Sequence, residues 1–97
     1  MPSFSRESVL RVVRKQFPAV YTQEIMDILE LYGTEPNEEE RLRVQMAILL
    51  LSDGDQNKVK HYCKLAKNDY RDVLYWAEFT SDAQPREDPY KSLLEED

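Results

Sequence analysis

Glu38 to Phe79 reads EEERLRVQMAILLLSDGDQNKVKHYCKLAKNDYRDVLYWAEF, and within it three helix signals follow one another with almost no spacer. The acidic run Glu38, Glu39 and Glu40 gives way to Leu42, Val44, Met46, Ala47, Ile48, Leu49, Leu50 and Leu51. Ser52-Asp53-Gly54-Asp55 breaks the pattern. Apolar residues then recur at helical spacing to Ala66, pause at Asn68-Asp69, and recur again to Phe79. Between Val44 and Leu51 only Gln45 is polar, so the first of these helices is apolar nearly all round and should sit at the centre. A buried strand is the other reading of so short an apolar run. Helix-favouring residues continuing back to Glu38, and the scarcity of β-branched ones, decide for helix. The fold predicted is all-α: a single small bundle of about five helices over residues 1–79. A polar, acidic tail over residues 80–97 follows it, with room for one short helix packing back.

The central helix is expected to start around Pro36 to Glu38, where proline suits the first turn and the glutamates complement the helix dipole. Upstream, Ser5 is the N-cap of a first helix running to about Gln16, ended by Phe17-Pro18. Val9, Leu10, Val12, Val13 and Phe17 share one of its faces, while Arg11, Arg14 and Lys15 share the other. A second helix begins near Pro18 to Thr22 and stops at Gly33, which can adopt positive φ. Tyr21, Ile25, Ile28, Leu29 and Tyr32 fall in an arc of roughly 100°, the stripe of a helix packed on a core. Leu31 is stranded on the solvent side.

Downstream, Asp55 caps a fourth helix with core face Val59, Tyr62, Cys63 and Ala66. Asp69 caps a fifth, with Asp72 in a variant of the capping box and core face Tyr70, Val73, Leu74 and Ala77. Thr80 to Pro89 has the composition of a linker. Asp88-Pro89 then starts a short last helix through Tyr90, Leu93 and Leu94.

Composition bounds the rest. Ninety-seven residues make one domain, near the lower end of what buries an adequate core. An apolar fraction of 41% and a charged fraction of 33% are those of a soluble globular chain. The single cysteine excludes an internal disulfide and fits a reducing compartment. No apolar run approaches the roughly 20 residues of a membrane span. Met1-Pro2-Ser3-Phe4-Ser5 shows no basic segment leading into an apolar one. The expectation is a cytoplasmic protein with no membrane contact. A net charge of −6 argues against general nucleic-acid binding, whose affinity comes mostly from neutralising phosphates.

The side chains that could carry chemistry do not assemble into a reaction centre. Asp53-Gly54-Asp55-Gln56-Asn57 resembles half a calcium loop, but Lys58 stands where the turn glycine belongs and Lys64 where the closing glutamate belongs. A polar turn and helix cap explain it better. His61 and Cys63 diverge at i, i+2 on a helix, too few and too far apart in direction for zinc or for a thiol–imidazole pair. Both glycines, Gly33 and Gly54, are isolated, so there is no phosphate loop. No catalytic residue, cofactor or metal is assigned, and the chain is read as no enzyme.

What remains are surfaces. Arg11, Arg14 and Lys15 line helix one, and Lys60, Lys64 and Lys67 line helix four at i, i+4, i+7. Both stripes are candidate basic surfaces; the plain reading is a solvated helix face. Helix five is aromatic on both sides, because Tyr75, Trp76 and Phe79 lie opposite its core face. Exposed aromatic clusters mark contact surfaces. The first expectation is that the tail covers them with Tyr90, Leu93 and Leu94; the second is a protein partner or a second copy of the chain. The functional expectation is a small non-catalytic protein–protein interaction or regulatory module. A nucleic-acid-associated protein using a basic stripe is the alternative, and an enzyme without a recognisable motif comes third.

Overall fold

A pair of serines starts the first helix. In the computed structural model, which describes residues 4–94, the Ser5 hydroxyl accepts from the Ser8 amide at 3.2 Å and the Ser8 hydroxyl accepts from the Ser5 amide at 3.3 Å. This reciprocal cap opens α1 (Arg6–Gln16), which ends at Phe17 in extended backbone before Pro18. A 3₁₀ turn over Ala19–Tyr21 leads into α2 (Thr22–Glu30). The tighter turn rotates Tyr21 off the expected stripe, so Tyr21 is exposed while Ile25, Met26, Leu29 and Tyr32 are buried. Gly33 follows at φ +100, where an added Cβ would run into the Arg41 side chain.

The central helix, α3 (Arg41–Ser52), begins later than its acidic leader suggested. Glu40 sits at φ +52 and Glu38 is buried, so the glutamates shape the approach to the helix and do not form its first turn. Val44 through Leu49 are all buried, and α3 lies against α1, α4 (Gln56–Asn68) and α5 (Tyr70–Glu78). Leu50 and Leu51 are only partly buried. The polar residue within this run, Gln45, donates through Nε2 to the Leu29 carbonyl at 3.0 Å and the Tyr32 carbonyl at 3.4 Å, where α2 ends. Buried Tyr32 in turn donates its hydroxyl to the Glu39 carbonyl at 2.7 Å.

Asp55 caps α4, its Oδ1 accepting from the Asn57 and Lys58 amides at 2.9 and 3.3 Å. Val59, Cys63 and Ala66 turn inward. The Cys63 thiol donates to the Ile28 carbonyl at 3.2 Å, and burial pushes its pKa up. It is therefore a neutral thiol at physiological pH. Thiol reagents are expected to label it slowly in native buffer and quickly in denaturant, and rapid native labelling would contradict its burial. Asp69 caps α5 by accepting from the Arg71 amide at 3.1 Å, not through the box with Asp72. Val73, Leu74 and Ala77 face the core.

Beyond α5 the chain turns back. Phe79 and Pro85 form one antiparallel bridge, flanked by bonds from the Arg86 amide to the Glu78 carbonyl and the Thr80 amide to the Gln84 carbonyl, both 2.8 Å. Ala83 and Asp88 take left-handed conformations here, at φ +61 and +47. A single turn, α6 (Lys91–Leu94), then packs on α1 and buries Leu93. The fold is thus an all-α small bundle, with six α-helices among the described residues. No described helix is long and apolar enough to cross a membrane.

Candidate functional site

Successive residues of a helix point about 100° apart, so anchoring Val73, Leu74 and Ala77 in the core leaves Tyr75 and Trp76 outward. Tyr75 is 45% exposed and Trp76 43%. Tyr75 stacks on Phe79 with ring centroids 5.0 Å apart and planes 14° from parallel. Trp76 meets Tyr62 of α4 edge-on at 6.4 Å. These rings form two pairs, one along α5 and one between α5 and α4, on the side of α5 away from its core residues.

Phe79 also borders a cavity of about 570 Å³, lined further by Phe4, Pro85, Pro89 and Tyr90. The tail therefore does not cover the aromatic face as expected. Its last turn docks on α1, and Tyr90, just before that turn, meets Phe4, just before α1, edge-on at 5.3 Å. Pro85 and Tyr90 reach the Phe79 end, and Tyr75 and Trp76 stay open.

Three of the groups that line the cavity, Arg43, Glu78 and Tyr90, are bonded to one another. Arg43 grips Glu78 through both Nε, at 2.7 Å, and Nη2, and reaches Glu40 through Nη1 at 2.8 Å. The Tyr90 hydroxyl donates to the same Glu78 carboxylate at 2.5 Å. Burial pushes the Glu78 pKa upward, but the bonds from Arg43 and Tyr90 outweigh it and hold the carboxyl below its ordinary range. Burial, then Glu78, pushes the Tyr90 phenol up. At neutral pH the site holds a carboxylate, a guanidinium and a neutral phenol, each occupied by the others. Such a set ties α3, α5 and the tail together.

The two basic stripes fare differently. Arg11, Arg14 and Lys15 lie exposed on α1 around half-buried Leu10. On α4, Lys60 and Lys64 are exposed. Lys67 departs from them: its ammonium donates to Glu38 Oε2 and to the Leu31 carbonyl, both at 2.8 Å. Glu38 Oε1 accepts from the backbone amides of Gly33, Thr34 and Glu35 at 2.8, 3.1 and 3.4 Å. Burial acts to raise the Glu38 pKa, but the bonds from Lys67 and those amides prevail and lower it. Lys67 is therefore a brace for the α2–α3 loop.

His61 stands exposed against Tyr62 while Cys63 is buried. Among the described residues no group of three or more His, Cys, Asp or Glu is arranged to hold a metal ion. Sequence reasoning missed Glu38 and the Arg43–Glu78–Tyr90 network, because their partners lie 29, 35 and 12 residues apart in the chain. Compared with protein-family models, curated proteins and solved structures, the chain matches none.

Proposed function

We propose that this chain is a non-catalytic protein–protein interaction module whose partner meets the outer face of α5. The observation that carries this reading is the open, adjacent pair Tyr75 and Trp76, continued by Phe79 into the neighbouring cavity. Tyrosine and tryptophan dominate binding hot spots because each offers a large, stiff, amphipathic surface at small entropic cost. Here α5 fixes their backbone, and contacts with Phe79 and Tyr62 restrain the rings before any partner arrives. The cavity beside Phe79 falls in the range of about 300–1,000 Å³ that accommodates a small ligand or an anchoring side chain. The lone cysteine, a core thiol, suits a cytoplasmic setting.

The full-length chain, Trp76→Ala and Tyr75→Ala should be compared as baits in a cytosolic extract. Wild type is expected to retain a specific protein that both variants lose, with all three melting at nearly the same temperature because these side chains are half-exposed. Equal capture by all three would refute the assignment of this face. Because the tail leaves Trp76 open, removing residues 86–97 should not shift its fluorescence emission.

A further inference from the structure

We propose that the outer face of α1 is a second docking surface, which takes an acidic amphipathic segment of a partner protein. The first ground is charge segregation. α1 holds Arg6, Arg11, Arg14 and Lys15 against Glu7 alone, so it carries +3. The whole chain carries −6, which leaves −9 on everything outside α1. Arg6 is engaged by Glu30 of α2 at 2.7 Å. The other three cations border a shallow cleft of about 390 Å³ with Glu7 and Leu10. Arg11 and Lys15 also interact within the chain. The face therefore acts through its summed field and the apolar step at Leu10, and needs no vacant side chain.

The chemistry of the face selects among anionic partners. An anionic membrane would be held by charge alone, at about 1 kcal/mol per basic residue, because Val9, Val12 and Val13 of α1 are committed to the core and none of them is left to insert. A nucleic acid offers phosphates without apolar content. Neutralising about three of them gives a salt exponent of only about −2.7, and a polyanion longer than the face meets the net negative charge of the remaining described residues. A short acidic helix fits both features. Carboxylates spaced at i and i+3 or i+4 along such a helix keep its negative charge on one side, facing the positive field of α1. A leucine between them would rest on Leu10. Opposite fields bring such a segment in quickly and set its orientation.

The probe is a fluorescein-labelled synthetic helix of alternating glutamate and leucine pairs, titrated with the full-length protein at low and physiological salt. Its glutamine-for-glutamate counterpart, random-sequence duplex DNA and vesicles of anionic lipid are run beside it. The acidic peptide is expected to bind, and its affinity to fall about tenfold with Arg14→Glu, with Lys15→Glu and with the glutamine peptide. Trp76→Ala should bind it unchanged, which separates this surface from the aromatic face. Melting curves are recorded for each variant, and the charge reversals, being exposed, are expected to leave the fold intact. Absence of binding, binding insensitive to Arg14→Glu, or tighter binding of the duplex or the vesicles would overturn the proposal. So would a low-salt dimer dissolved by Arg14→Glu, because the acidic body of a second copy would then be the occupant.

Discussion

Leu49→Ala is expected to destabilise the bundle by on the order of 2–5 kcal/mol, because it removes a fully buried side chain from the helix that α1, α4 and α5 all touch. A domain of this size holds in total about 5–15 kcal/mol, so the loss consumes a large share. The neighbouring substitution supplies an internal control. Leu50 is only partly buried, so Leu50→Ala removes less contact and should cost about 1–2 kcal/mol. Sequence periodicity made the two leucines equivalent; the structure separates them. Urea unfolding of both variants tests the ordering. A Leu49→Ala protein within about 0.5 kcal/mol of the parent would displace α3 from the centre of the bundle.

Glu78→Ala is expected to cost about 3 kcal/mol and to loosen the tail at the same time. The substitution leaves the Arg43 guanidinium without its bidentate acceptor and the buried Tyr90 hydroxyl without a partner. Tyr90→Phe deletes only the donor and should cost about 1 kcal/mol. Trypsin then reports the second effect, since cleavage after Arg86 and Lys91 should accelerate in Glu78→Ala far more than in Leu50→Ala. Acid provides an independent check. Glu78 and Glu38 both have lowered pKa values in the folded state. Their contribution is complete above the ordinary carboxyl value of about 4.3, and it disappears as pH falls through the lowered folded values. The parent should lose stability steeply on acidification, and Glu78→Ala should lose it less steeply. Parallel acid profiles would show that the carboxylate contributes nothing in its ionised form.

What the sequence disclosed depended on how local each cause was. The caps at Ser5, Asp55 and Asp69 and the buried faces of α1, α4 and α5 follow from spacings of a few residues, and they were legible. The outward direction of Tyr75 and Trp76 follows from the same periodicity. Tyr21 was misread because a 3₁₀ turn changes the angle between residues, which a constant helical pitch does not represent. The start of α3 was misread because Glu38 is drawn inward by Lys67 of α4 and by three amides of the preceding loop. The same contact removes Lys67 from its stripe. The seat of α6 was illegible too: Tyr90, Leu93 and Leu94 are apolar enough to cover either α1 or α5. Long-range partners such as Phe4 and Glu78 accompany the α1 position.

Gln45 has a consequence beyond the two bonds it makes. A helix with apolar side chains on almost every side has no preferred rotational phase. Turning α3 by one residue, about 100°, would exchange one set of aliphatic contacts for another of similar area. Sliding it by a turn would do much the same. Either movement would strand the Gln45 amide among hydrocarbon, at a cost of about 1–3 kcal/mol. Only one phase brings Nε2 to the carbonyls of Leu29 and Tyr32 at the close of α2. That amide therefore distinguishes the native arrangement from near-degenerate repackings of the same core, and with it fixes the azimuth from which Arg43 reaches Glu78.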